Sequence, residues 1–174
     1  MTQITYKKNE FNDISKLKVR LSDLIDTDGH FTRNERTNRI TRELYSLMLR
    51  VQAEEPIKKY RSYYKSYDQY LRWKMHRVVM QIDKDPSSRQ ILLNFDKLFK
   101  RTVPCFTTIQ FRVFNKQLHA IIFQRSMEIS FLEQDLSFYA YLLREIAIAC
   151  NLTFDSYSLT IGSLHRNYDE TWKT

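Results

Sequence analysis

A thiol that opens a β-strand twenty residues ahead of an arginine is the arrangement in this chain best suited to covalent chemistry. Cys105 follows Val103-Pro104 and begins the alternating run Phe106-Thr107-Thr108-Ile109-Gln110-Phe111-Arg112-Val113-Phe114, rich in β-branched and aromatic residues. Asn115-Lys116-Gln117 reads as a short turn and Leu118 to Arg125 as a returning strand. Such a hairpin brings Cys105 and Arg125 to one end of a sheet. A cation beside a cysteine favours the thiolate, the nucleophilic form. The competing reading is a buried, inert thiol.

The whole chain limits what can position these residues. Its 174 residues suit one domain, 1–174, long enough to bury a core. With 43% hydrophobic and 14% aromatic residues it is not compositionally disordered, and no apolar run approaches the ~20 residues that span a bilayer. Met1 to Glu10 is polar and lacks the pattern of a secretory leader, so a cytoplasmic location is expected. Cys105 and Cys150 cannot form a disulfide framework and have no metal-ligand spacing around them, so no metal is expected. Cys150 falls in an apolar helical pattern, as a small core residue does. The net charge of +8 fits either nucleic acid or a pocket for a nucleotide phosphate. The only glycines, Gly29 and Gly162, exclude a glycine-rich phosphate loop.

Along the chain, Phe11, Ile14, Leu17, Leu21, Leu24 and Ile25 predict an amphipathic helix that ends near Asp26-Thr27-Asp28-Gly29. The polar segment Phe31 to Thr41 reads by itself as a solvated basic loop, and Leu44 to Val51 as a strand. Between Pro56 and Asp85 six aromatic residues, Tyr60 to Trp73, lie among lysines and arginines. They can stack bases of single-stranded nucleic acid, but Tyr63, Tyr67, Tyr70, Met75, Val78, Val79 and Ile82 also form the apolar stripe of one long helix, and packing is the preferred reading. A strand over Gln90 to Phe95 follows, then the cysteine hairpin, a helix from Asp135 to Asn151 with Asp135 where a cap would sit, and a last strand from Thr153 to Ser163.

Five motifs in order give a resemblance: Asp85-Pro86-Ser87-Ser88-Arg89, Pro104-Cys105, Arg125-Ser126-Met127-Glu128, Asp135-Leu136-Ser137-Phe138-Tyr139 and Gly162-Ser163-Leu164-His165. Together they resemble the thymidylate synthase and deoxycytidylate hydroxymethylase superfamily, nearer the hydroxymethylase branch. Asn34-Glu35-Arg36-Thr37 is similar to that family's phosphate loop. The resemblance implies an α+β domain, one mixed sheet packed against helices, paired through the sheet into a homodimer. It implies Cys105 as nucleophile, with Glu128 and Asp135 in the catalytic set. Arg36, Arg89, Arg125 and Ser126 are implied at the phosphate, Arg89 reaching the partner's site, and His165 and Tyr168 at the sugar.

The chemistry so implied is transfer of a hydroxymethyl unit from methylenetetrahydrofolate to C5 of dCMP or CMP through a covalent C6 adduct with Cys105. The family's uracil-methylating members have asparagine at the position of Asp135, and an aspartate there suits the amino donor of cytosine. Metabolism of modified bases in a phage is the setting this suggests. The chain departs from the pattern in places. The interval that holds the family's catalytic glutamate is shorter, with Glu54 and Glu55 candidates by type alone. Asn167 stands at the sugar-reading tyrosine, with Tyr168 displaced by one. Three alternatives follow: a non-catalytic pyrimidine-nucleotide binder on the same fold, a synthase that methylates dUMP, and a nucleic-acid module built on the aromatic basic segment.

Overall fold

The computed structural model describes residues 2–5, 14–34, 39–52, 68–95 and 105–168. Within them seven strands form one mixed sheet: β1 (Thr2–Thr5), β2 (His30–Asn34), β3 (Arg39–Gln52), β4 (Leu92–Asn94), β5 (Phe106–Phe114), β6 (Gln117–Glu128) and β7 (Ser156–Tyr168). The order is β1-β3-β7-β6-β5-β4, and β2 also pairs with β3. β2 runs antiparallel to the first part of β3 and β1 parallel to its second part, so both occupy the same side of that long strand. β6 and β7 are parallel, joined through a 3-10 turn (Ile129–Phe131) and a helix, as a parallel connection requires.

Among the described residues three helices cover one face. In α1 (Ile14–Asp28), Leu17, Leu21 and Ile25 recur every four residues and are fully buried. α2 (Asp68–Lys84) buries Leu71, Val78 and Ile82, with Met75 and Val79 packed against the core. α3 (Leu132–Ala149) is the most apolar and buries Leu136, Tyr139, Leu142, Leu143 and Ile146. The expected α+β class and helix-covered mixed sheet are thus present.

The expected alternation fails at one level of the sheet, in three strands at once. The buried positions run 118, 120, 122, 124 and then 127 in β6; 157, 159, 161 and then 164 in β7; and 47, 49, 51 in β3, with Leu44 as the next core contact. Each step of three inserts one extra residue, yet the pairings Gln124 with Ile161, Ser126 with Ser163, Leu47 with Ile161 and Tyr45 with Ser163 keep one register because neighbouring strands bulge together. β5 bulges beside them between Phe106 and Thr108. Ser46 takes a left-handed conformation at this level (φ 57°), and at Gly162 a Cβ atom would lie 2.6 Å from the Arg125 carbonyl oxygen. β7 therefore needs glycine where it crosses β6.

Several boundaries differ from the expectations. His30–Asn34 is a strand rather than a solvated loop, held to β3 by its antiparallel ladder, by the Thr32 hydroxyl donating to Glu43 at 2.8 Å and by Arg42 lying over the Phe31 ring. α3 begins three residues before Asp135, with Phe131 at its N-cap, so Asp135 lies inside the first turns and is not a cap. β7 runs to Tyr168 because pairing with β3 and β6 resumes beyond the bulge. Phe11, Arg36, Tyr60, Tyr63, Tyr64, Tyr67, Pro104 and the proposed Glu54 and Glu55 lie outside the described residues.

Candidate active site

Cys105 stands exposed at the entrance to β5, beside the bulge. Its carbonyl accepts the Arg125 backbone N–H at 2.7 Å, the first tie between the two strands. The Ser126 hydroxyl lies 3.5 Å from its sulfur as a donor. The hairpin read from the sequence thus brings Cys105, Arg125 and Ser126 together, and the exposure of the thiol removes the inert-core reading. Cys150 is the contrast: half-buried at the end of α3, its thiol is pushed above the ordinary range by burial, with the Asp83 charge adding to the effect.

Behind the thiol a buried polar chain connects the sheet to α3. Gln124 occupies a core position of β6, 2% exposed, where alternation calls for an apolar residue. Its amide oxygen accepts the Tyr139 hydroxyl at 2.7 Å; its amide nitrogen donates to Asp135 Oδ2 at 2.8 Å and to the Ser126 carbonyl at 3.1 Å. A carboxylate and a carbonyl can only accept, so these partners fix which end of the amide faces Asp135. Gln124 was not singled out in the sequence, although a polar residue in the buried phase of an alternating strand was a legible signal.

Beyond the bulge, alternation turns Ser126 and Glu128 of β6, Ser163, His165 and Asn167 of β7, and Thr41, Glu43 and Tyr45 of β3 to the face away from the helices. Register places His30, Glu43, His165 and Glu128 in one row across four strands, and Tyr45, Ser163 and Ser126 in the next. Glu43 is the hub of this platform. Its Oε1 accepts Thr41 at 2.6 Å and Thr32 at 2.8 Å, and its Oε2 accepts Ser163 at 2.8 Å. Burial pushes its carboxyl up, but hydrogen bonds from Thr41, Ser163, Thr32 and Tyr45 outweigh that and hold it below the usual range. Burial and then the Glu43 charge raise the Tyr45 phenol. Glu128 accepts the Ser130 hydroxyl at 2.9 Å.

Two expected site residues lie elsewhere. Tyr168 has the opposite alternation phase from His165, and its hydroxyl donates to Asp26 of α1 at 3.2 Å, next to a bidentate Arg166–Asp26 pair. It faces the helices, and Asn167 takes the platform position instead. Arg89 is exposed in the bend after α2, with its carbonyl bonded to the Gln110 side chain. Gln110 is five residues from Cys105, so at ~3.4 Å per strand residue the Arg89 backbone lies roughly 17 Å along β5 from the thiol. Among the described residues no group of three or more His, Cys, Asp or Glu side chains could hold a metal ion. No helix there is long and apolar enough to cross a membrane.

A thiol presented at a bulged strand end, with a carboxylate positioned behind it and a hydroxyl and histidine platform beside it, has the groups that covalent work on a small polar ligand requires. The sequence matches the family model for thymidylate synthase over residues 57–172, and the chain belongs to that family. It is similar to the thymidylate synthase of Buchnera aphidicola subsp. Schizaphis graminum, 36% identical over 93 residues, which cover 51% of this chain and 35% of that protein. It is also similar to those of Buchnera aphidicola subsp. Acyrthosiphon pisum (strain Tuc7), 33% identical over 95 residues covering 51% and 35%, and subsp. Baizongia pistaciae, 32% over 112 residues covering 56% and 42%. The matched part of the chain thus spans between about a third and two fifths of these curated relatives.

Proposed function

We propose that the protein transfers a one-carbon unit to C5 of a pyrimidine nucleoside 5′-monophosphate, and that the pyrimidine is cytosine. The carrying observation is the Tyr139–Gln124–Asp135 chain. With the Gln124 N–H on its Oδ2, Asp135 offers acceptor oxygens to the pocket, and cytosine, unlike uracil, presents an amino donor to them. A uracil carbonyl facing the same oxygens would leave acceptor against acceptor, which a buried site rejects.

In this reading the Cys105 thiolate adds to C6 of the ring, and the electron pair of the C5–C6 double bond makes C5 nucleophilic. C5 takes up the one-carbon unit, whose bond to the folate carrier breaks to release tetrahydrofolate as the C5 proton is lost; water adds to that carbon as the hydroxyl, and departure of the thiolate restores the ring. Methylenetetrahydrofolate is the one-carbon donor that family membership implies, and the exposed side of Cys105 suits approach of a second substrate. Arg125, Ser126 and Arg36 hold the phosphate, which positions C6 over the sulfur. Glu128 and His165, paired in register, lie along the nucleoside. Arg89 serves the site of a second copy, so the working unit is a homodimer joined through the sheet. Its distance from Cys105 in the same chain supports that division.

The test is calorimetric binding of dCMP, CMP, dUMP and dTMP to the wild type and to Asp135→Asn. Cytosine-selective binding that turns toward uracil in the variant is expected. Wild-type preference for dUMP would overturn the cytosine assignment in favour of a dUMP-methylating enzyme, and selective binding without turnover would leave the non-catalytic binder.

A further inference from the structure

The Glu43 hub has no part in the chemistry above, yet it shapes the platform that the nucleoside must lie on. Ser163 is the register partner of Ser126, the residue whose hydroxyl touches the Cys105 sulfur, and it precedes His165 by two positions on the same face. Adjacent strands stand about 4.8 Å apart, so Ser163 is within one nucleoside length of the thiol. A serine hydroxyl has one proton to give and two lone pairs. Ser163 gives its proton to Glu43 Oε2 at 2.8 Å, so toward a ligand it acts only as an acceptor.

We propose, resting on the nucleotide reading above, that Glu43 is a positioning residue for sugar recognition: by consuming the Ser163 proton it makes that hydroxyl an obligate acceptor for the 3′-hydroxyl of the bound nucleotide. The geometry explains why a carboxylate is needed. Thr41 and Thr32 both donate to Oε1, while Ser163 donates to Oε2. Glu43→Gln cannot satisfy all three. Its amide oxygen stays with the two threonines, its amide nitrogen turns to Ser163 as a donor, and the Ser163 proton is driven outward, so the substrate hydroxyl must turn from donor to acceptor. The platform then changes from accepting to donating with almost no change in shape. This reading also accounts for Asn167 at the expected sugar-reading tyrosine and for Tyr168 on the opposite face, since an acceptor for the hydroxyl is already supplied.

The experiment measures binding of dCMP and of its 2′,3′-dideoxy counterpart to the wild type, Glu43→Gln, Ser163→Ala and Thr41→Val, with thermal unfolding of each. One hydrogen bond of ordinary strength corresponds to a preference for dCMP of roughly threefold to tenfold in the wild type. That preference should fall to near unity in Ser163→Ala and should be reduced in Glu43→Gln, where the 3′-hydroxyl has to reverse from donor to acceptor. Thr41→Val loosens the hub but leaves the Ser163–Glu43 bond, and should lower the unfolding temperature while keeping the preference. An undiminished preference in Ser163→Ala, or in a folded Glu43→Gln, would overturn the role assigned here. A wild type that binds no pyrimidine monophosphate would instead overturn the nucleotide reading on which it rests.

Discussion

Tyr139→Phe isolates the chain that connects the core to the site. Tyr139 is fully buried and its hydroxyl is the donor to the Gln124 amide oxygen at 2.7 Å. Removing one oxygen opens little volume, so the cost is that of a buried acceptor left without its partner, about 1–3 kcal/mol. For a domain of this size each kcal/mol lowers the unfolding temperature by about 2–4 °C. The Asp135 carboxylate and the Ser126 carbonyl still hold the amide nitrogen, but the amide oxygen loses the donor that anchors the side chain to α3. Loss of that anchor loosens Asp135 and should weaken dCMP binding by at most roughly fivefold to 150-fold, the equivalent of the same 1–3 kcal/mol. Tyr157→Phe is the control: this tyrosine is also buried, and its hydroxyl donates to the Leu136 carbonyl at 3.1 Å. Calorimetry and thermal unfolding of both variants decide the matter. Similar losses of stability with dCMP binding reduced only in Tyr139→Phe are expected; equal binding by the two would refute the assignment of Gln124 as the residue that orients Asp135.

Gly162→Ala should destabilise by about 1–3 kcal/mol, as overpacking does, because its Cβ meets a backbone oxygen at 2.6 Å that belongs to Arg125. Since Arg125 is tied to Cys105, the rate of Cys105 alkylation should change along with the denaturant midpoint, and a midpoint within error of wild type would count against the close crossing. Acid unfolding should carry a Glu43 component. Its folded pKa lies below the unfolded value of about 4.5, so its contribution is full above that value and is lost as pH falls through the folded pKa. Stability of the wild type relative to Glu43→Gln should therefore shrink from pH 5 downward, and a difference that stays constant or grows toward low pH would show the sign to be wrong.

The sequence made the elements legible where a period was strong. Leu17, Leu21 and Ile25 define α1, and the alternation of 118, 120, 122 and 124 defines β6 with its buried side. The motif residues Cys105, Arg125 and Ser126 meet as their hairpin predicts. Less legible was whatever depends on register between distant strands. Nothing local in Phe31 to Thr41 announces a strand, because β2 is secured by its ladder with β3 and by Thr32 reaching Glu43 on that neighbour. The bulge in β6 and β7 shows only as a phase jump of one residue, and that jump decides that His165 and Asn167 share a face while Tyr168 turns to Asp26. Motif counting places Tyr168 one residue from the site, but in a strand one residue is the other side of the sheet.

The central claim is that Cys105 adds to C6 of a cytosine nucleotide and thereby activates C5. Release of tritium from C5-labelled dCMP, with and without methylenetetrahydrofolate, measures it directly in the wild type and in Cys105→Ala. The account predicts release by the wild type and none above background in the variant, with dCMP still bound by both. Release that survives loss of the thiol, or a wild type that binds dCMP and never exchanges its C5 hydrogen, would contradict it.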